Sequence, residues 1–236
     1  MADTSALQSP LRCATQVPFA ASRILALSSC LVARPACRHR RHVARAGMAS
    51  HRRGVRPLRD GEQAAVAIMA KSFADSPFGV WLYRDAAVRD REFTALFTSL
   101  IAKPTTVADV TDDLLSVAFW EAPAEEVAPQ EPAEKEKPDA STDSLLRAEA
   151  GALFAAVDAA KPKVPGAWYL GFVGSQAKGG GRALIQHRLS LIGQAPATLW
   201  TPAEALVPFY VSCGFELVSR HDVDGASAFW MKRGGG

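Results

Sequence analysis

Three things are scarce in this sequence, and each scarcity excludes a class of protein. Cysteine is the first: of four in 236 residues, Cys13, Cys30 and Cys37 precede position 38 and only Cys213 lies beyond. The rest of the chain therefore cannot hold an intramolecular disulfide or a cysteine-built zinc cage, and no metal is expected. Cys213, with no nearby His or Lys to lower its pKa, reads as a small core residue rather than a reactive thiol. Long apolar runs are the second: the best candidate, residues 18–32, carries Arg23 and falls short of the roughly 18 apolar residues a spanning helix requires, so no membrane partner is expected. Acids near the start are the third. Residues 1–59 hold 11 Lys/Arg against Asp3 alone, net +10, whereas residues 60–236 hold 16 Lys/Arg and 23 acids, net −7. The formal charge of +3 averages two unlike polymers.

What is present suits one globular domain with a sizeable core, since 48% of the residues are hydrophobic and 22% charged. Residues 1–47 are rich in Arg, Ser and Ala and almost free of acid, the composition of an organellar transit peptide. A secretory signal fits worse, because Arg38-His39-Arg40-Arg41-His42 lies too far along the chain for its basic region. The expected compartment is the chloroplast stroma, with the mitochondrion as the alternative. The rival reading is a basic arm that binds phosphate backbones by counterion release. That run lacks the interleaved aromatics of a stacking platform, so no nucleic acid is expected as a partner of the mature form. Residues 48–236 form the domain, interrupted at 121–143 by eight acids, two lysines and four prolines. Such a composition cannot bury enough apolar area to offset chain entropy and predicts a disordered acidic insertion.

Within the domain, Val55 to Leu58 predicts a short strand and Asp60 an N-cap for a helix through about residue 74. Asp75-Ser76-Pro77 predicts a turn. A second helix is expected over 86–101, with Phe93, Leu96, Phe97 and Leu100 at helical spacing. A strand follows over 114–120, preceded by the turn Thr111-Asp112-Asp113. Beyond the acidic segment the pattern gives a helix over 144–161, a strand over 168–173, a helix over 183–192, a strand over 198–201 and a helix over 203–212. Two strands, 215–219 and 227–232, close the chain. Strands and helices mixed in this way imply an α/β (α+β layered) fold, a central mixed sheet with helices packed on it.

The chemistry is concentrated where the 168–173 strand runs into Gly174-Ser175-Gln176-Ala177-Lys178-Gly179-Gly180-Gly181-Arg182. A strand, a glycine-rich turn and a helix in succession gather backbone N–H groups and a helix dipole at one point, which suits phosphate. The Walker loop requires Gly-Lys-Ser/Thr at its end, and here Gly181 is followed by Arg182 and Ala183. The Rossmann fingerprint would need a third glycine or alanine at Leu184 and an acid at the next strand end, where Trp200-Thr201 stands.

Gln176-x-x-Gly179-x-Gly181, followed by Ala183-Leu184-Ile185, resembles the acetyl-CoA loop of the GNAT N-acetyltransferase superfamily. Phe209-Tyr210-Val211-Ser212-Cys213-Gly214-Phe215 is similar to that family's Y-x-x-x-G-F element, and Val55-Arg56-Pro57-Leu58 and Ala70 to Pro77 resemble its first strand and first helix end. The resemblance spans about residues 55–233. It implies a GNAT-like sheet with helices on both faces and acetyl-CoA as co-substrate. The main chain of Phe172 and Val173 would meet the pantetheine arm. The amides of Gln176, Ala177, Lys178, Gly179, Gly180, Gly181 and Arg182 would cradle the pyrophosphate, with the Lys178 and Arg182 side chains either adding charge or facing solvent. Tyr210 would protonate the leaving thiolate, the alternative being a ring packed on the sheet. The sequence departs from the family in four places. Only Gly174-Ser175 separates Val173 from Gln176, where four residues including proline are usual; Ala177 stands where glycine is common, Leu206 where an asparagine is frequent, and Trp200 near where an acid is frequent.

The implied activity is transfer of an acetyl group from the CoA thioester to a primary amine, whether a protein N-terminus, a lysine or a small amine, by direct attack in a ternary complex. The alternative is an inactive acetyl-CoA-binding or interaction module on the same scaffold. Catalysis would come from proximity and from an oxyanion donor, the Val173 amide. No carboxylate or histidine lies in 170–173, so Glu121 and Glu204 are the candidate bases. His187 and His221 read as surface residues. Phe78, Trp81, Tyr83 and Trp120 are candidates for an apolar acceptor wall or for core.

Overall fold

The computed structural model describes residues 54–59, 63–123, 146–223 and 225–234. The leader at 1–47, the Asp60 cap, the acidic positions 124–143 and the start of the helix expected from 144 lie outside the described residues. Strand β1 (Val55–Pro57) precedes three helices, α1 (Gln63–Ala74), α2 (Pro77–Leu82) and α3 (Ala86–Ile101). A hairpin of β2 (Thr106–Thr111) and β3 (Ser116–Glu121) follows, then α4 (Ala148–Ala159), β4 (Trp168–Ser175), α5 (Gly180–Ile192) and β5 (Ala197–Thr201). A 3-10 turn (Glu204–Leu206) and α6 (Val207–Val211) lead into β6 (Glu216–Val223) and β7 (Ala226–Arg233).

Two elements escaped the sequence pattern. Pro77 does not end order but begins α2, because the first helical turn has no use for the N–H that proline lacks. Ser76 is its cap, accepting from the Gly79 amide at 2.9 Å and donating to the Phe73 carbonyl at 2.7 Å. Strand β2 was missed because Thr-Val-Ala-Asp-Val-Thr carries a charge in its middle, a pattern that suggests an exposed segment. In the structure Asp109 is fully buried. The expected turn between β2 and β3 is present: Thr111 Oγ1 donates to Asp113 and accepts from the Ser116 amide.

The seven strands lie in the order β1-β2-β3-β4-β5-β7-β6, and every neighbouring pair is antiparallel except β4 and β5. β4 is central and buried at all eight positions, which explains its unbroken apolar run. Helices cover both faces. On one face α1, α3 and α4 bury Phe73, Phe93, Phe97, Phe119 and Phe172 in a single cluster. The rings of Phe73 and Phe97 lie 5.5 and 5.0 Å from that of Phe172 in edge-on contact, which fixes α1 over β4. On the other face α5 and α6 pack on Leu170, Val173 and Leu199.

Asp109 is the anchor for α5. Arg188, midway along that helix, donates from Nε and Nη2 to the two carboxylate oxygens at 2.9 and 2.6 Å, with both side chains buried. The Trp168 ring lies 5.5 Å from the same guanidinium. Because either charge alone would be stranded in the core, Asp109→Ala or Arg188→Ala is expected to destabilise the domain by about 3–5 kcal/mol. Urea unfolding of each variant checks this, and a loss below about 1 kcal/mol would mean that the pair is solvated.

Candidate active site

The parallel neighbours β4 and β5 are paired at only two positions, Trp168↔Ala197 and Tyr169↔Thr198. Beyond them β4 runs on through Ser175 and β5 through Thr201 without a shared register, so the strands part and leave main-chain groups of β4 unpaired on the β5 side. The parting coincides with an irregularity on the opposite edge. Phe119 pairs with Phe172 and Trp120 with Leu170, which leaves Gly171 as an extra residue, a β-bulge. The short link of Gly174-Ser175 has therefore not removed the bulge; β4 simply continues two residues further than the sequence pattern indicated.

The glycine loop begins at the open end of this cleft and is pinned to the β2–β3 hairpin. The Gln176 amide donates to the Leu115 carbonyl at 2.8 Å, the hydroxyls of Ser116 and Ser175 lie 2.7 Å apart, and Ser175 Oγ donates to the Ala177 carbonyl at 2.7 Å. Gly179 sits at φ +84°, a left-handed conformation that L side chains rarely adopt. A Cβ on Gly180 would collide with Ser116 Oγ and lie 3.0 Å from Ser175 Oγ. Gly180 and Gly181 are inside α5, so the helix starts within the glycine run and not after it. Gln176, Lys178 and Gly179 are exposed. The amides of Lys178, Gly179, Gly181 and Arg182 make no backbone hydrogen bond among the described residues. Four free N–H groups at the start of a 13-residue helix fit a pyrophosphate.

The Arg182 side chain turns away from the loop and ties α5 to α6. It donates to the Ser212 carbonyl at 3.0 Å and to Ser212 Oγ at 2.6 Å, with its guanidinium 5.5 Å from the Phe209 ring. Lys178 remains the loop's exposed cation. Tyr210 is fully buried, in one cluster with Val173 of β4 and Leu199 of β5, its ring against Phe209 and Phe215 at 5.1 and 6.3 Å. Leu206, where an asparagine was noted as frequent, packs against the same cluster.

The structure divides the candidate aromatic wall. Phe78 and Trp81 stack at 5.6 Å, and the edge of Trp200 meets Phe78 at 6.0 Å, beside the turn from β6 to β7 that carries Gly225. Tyr83 instead packs edge-on to Phe93 in the α3 core, and Trp120 lies on the opposite face of the sheet. Of the candidate bases, Glu204 is exposed and pairs with Arg220. Glu121 lines a cavity that also contains Tyr169 and Gly171. His187 is half-buried on α5, and His221 lies on the edge strand β6 with Nε2 3.0 Å from Ser219 Oγ. Cys213 is a buried free thiol whose pKa is raised by burial, against smaller opposing effects of Arg182 and Ser212.

Sequence reasoning overlooked Tyr169. It reads as one more apolar residue of a buried strand, yet its hydroxyl is buried and has no hydrogen-bond partner. Burial chiefly, with the charges of Glu121, Asp158 and Tyr210 nearby, holds this phenol well above the ordinary tyrosine range. Among the described residues there is no cluster of three or more possible metal ligands, and no helix is long and apolar enough to cross a membrane.

The fold is shared with a solved acetyltransferase. The histone acetyltransferase HPA2 and related acetyltransferase from Corynebacterium glutamicum superposes with a TM-score of 0.56 at 20% identity, over 78% of this chain and 97% of that one. The fold is that of the GNAT acetyltransferases. Lower scores are found for SsHAT, at TM-score 0.44 and 23% identity over 78% and 98% of the two chains. AAC(6')-Ib in complex with ribostamycin and coenzyme A gives TM-score 0.43 and 12% identity over 76% and 92%. No protein-family model matches the sequence, and no curated protein matches it significantly.

In this GNAT-like fold the glycine run is the most sharply constrained stretch. Gly180→Ala is expected to destabilise the protein by about 1–3 kcal/mol through the collision with Ser116. Thermal unfolding measures this; an unchanged melting temperature would mean that the loop can shift to admit the methyl group.

Proposed function

We propose that the protein is an acetyl-CoA-dependent N-acetyltransferase acting on a primary amine. The observation that carries this reading is the two-pair limit on β4–β5 pairing, beside a loop whose amides are free. An opening that exposes a strand edge can accept the amides of a pantetheine arm, and the free N–H groups at the start of α5 can accept the pyrophosphate. The C. glutamicum acetyltransferase of the same fold supports the reaction class.

In the proposed reaction a neutral amine attacks the thioester carbonyl carbon, a C–N bond forms, and the C–S bond breaks. The developing oxyanion meets a β4 amide near the bulge, that of Val173. Holding the two reactants side by side supplies most of the acceleration, and the oxyanion contact adds to it. The departing thiolate takes a proton from the Tyr210 hydroxyl, and the amine releases one to a base or through water. The burial of Tyr210 in the cluster that holds Val173 of β4 and Leu199 of β5 supports its assignment, since a phenol there is shielded from bulk water.

Tyr210→Phe should lower kcat by about 100-fold, the scale of a lost general acid, while leaving CoA affinity unchanged. Thiol release measured with acetyl-CoA and a mixture of amines, together with CoA titration, tests this. Saturable CoA binding without thiol release under any amine would instead identify an acetyl-CoA-binding module. We further propose that residues 1–47 direct the chain to the chloroplast and are removed there. The acid-poor, Arg-rich composition supports this. Import into isolated chloroplasts should give a product beginning near Gly47 or Met48 by N-terminal sequencing, and import into mitochondria alone would refute the plastid assignment.

A further inference from the structure

The cavity beside the bulge brings together three polar groups that have no hydrogen-bond or ion-pair partner among the described residues. It holds about 430 Å³ of empty space, part of it open to solvent, between the end of α3, the start of β2, the end of β3 and the middle of β4. Leu100, Phe119 and Phe172 give it an apolar floor, and Lys103, Glu121 and Tyr169 supply its polar groups. Lys103 and Glu121 carry opposite charges on the same cavity, yet they form no ion pair with each other or with any described residue. The Tyr169 hydroxyl is buried and makes no hydrogen bond. Burial lowers the Lys103 ammonium from the ordinary lysine range, and the Glu121 carboxylate partly restores it.

Unpaired opposite charges with an apolar surface between them are what a zwitterion of matching shape requires; a simple cation would be repelled by Lys103 and a simple anion by Glu121. The cavity is also placed for chemistry. Gly171 and Phe172 line it, and these same residues form the bulge where β4 leaves β5. A ligand in the cavity therefore lies against the strand expected to hold the thioester.

We propose that this cavity binds the acceptor, and that the acceptor is a free α-amino acid with an apolar side chain, its carboxylate held by Lys103, its amino group by Glu121 and the Tyr169 hydroxyl, and its side chain over Phe119 and Phe172. This rests on the acetyltransferase reading above. The reaction gives an N-acetylamino acid, CoA and one proton: Glu121 takes the first proton from the bound ammonium and returns it to solvent, to which it is exposed. The neutral nitrogen then bonds to the acetyl carbon, the C–S bond breaks, Tyr210 protonates the thiolate sulfur, and the second proton lost from nitrogen is relayed by Glu121 and water to restore the Tyr210 hydroxyl.

The test uses the full chain and three probes of one shape: L-phenylalanine, phenethylamine without the carboxylate, and 3-phenylpropionate without the amine. Calorimetric titration should show L-phenylalanine binding at least 10-fold tighter than either of the others, and acetyl-CoA should convert it to N-acetylphenylalanine. Lys103→Gln should raise KM for L-phenylalanine at least 10-fold and abolish its advantage over phenethylamine. Glu121→Gln should lower kcat and leave the melting temperature and CoA affinity unchanged. Equal binding of phenethylamine and L-phenylalanine, or a preference unaffected by Lys103→Gln, overturns the zwitterion assignment. CoA binding and thiol release with other amines but none with L-phenylalanine would overturn this proposal while preserving the acetyltransferase reading. L-phenylalanine binding without any CoA binding would defeat that reading and, with it, the acceptor role.

Discussion

Everything attributed to the site depends on how little β4 and β5 are held together. A parallel pair of this length would ordinarily zip along its whole edge and be covered by the helix that connects its strands. Here the connecting helix is drawn elsewhere. The Asp109–Arg188 ion pair fastens α5 to β2, so α5 packs chiefly over β2 and β3 and less over β4. The bulge at Gly171 interrupts β4 near where the pairing stops, and the short helix α6 buries Tyr210 in one cluster with residues of β4 and β5. A buried charge pair is seldom a large net source of stability. Its value here is positional, because only one placement of α5 satisfies both of its ends.

The same arrangement fixes the glycine loop. Once α5 is tied to β2, its first turn lies over the β2–β3 hairpin, close enough for Ser116 and Ser175 to share a hydrogen bond and for Gly180 to pass directly above them. The loop is held on its inner side by hydroxyls and the Leu115 carbonyl, and is open on its outer side, where Gln176, Lys178 and Gly179 are exposed. A cradle held from behind keeps its donors aimed without spending them on internal bonds. Arg182 contributes by bracing α5 against α6, a role different from the direct phosphate contact its place in the loop suggests.

Much of the site was legible in the sequence because it is built from local structure. Gln176 to Arg182 follow a strand and precede a helix, and the need for glycine at φ +84° and under a packed hydroxyl leaves a mark in residue type. Tyr210 and Gly214-Phe215 are legible for the same reason, being a short helix, a turn and the start of a strand. The aromatic wall was only half legible. Phe78 and Trp81 lie three apart on one short helix and therefore share a face, whereas Tyr83 and Trp120 have the same composition but are turned elsewhere by the ends of α2 and by strand alternation. Strand β2 and helix α2 were hidden by residues whose local preference is the opposite of their tertiary role, Asp109 in a strand and Pro77 at a helix start.

The sequence by itself determined the layered α/β class, the phosphate-suited loop and the contrast between a basic first segment and a net-acidic remainder, because composition and short-range spacing encode each of these directly. Tertiary structure decided the rest. Lys103, Glu121 and Tyr169 come from the end of a helix, the end of one strand and the start of another; Glu121 was a candidate base in the sequence, but nothing local distinguishes Lys103 from a surface charge or Tyr169 from core. They converge because the β2–β3 hairpin folds back beside β4, and their lack of partners among the described residues appears only in the folded chain. Pairing between strands is a long-range choice, and the point at which β4 and β5 stop pairing is set by a bulge on one side and an anchored helix on the other.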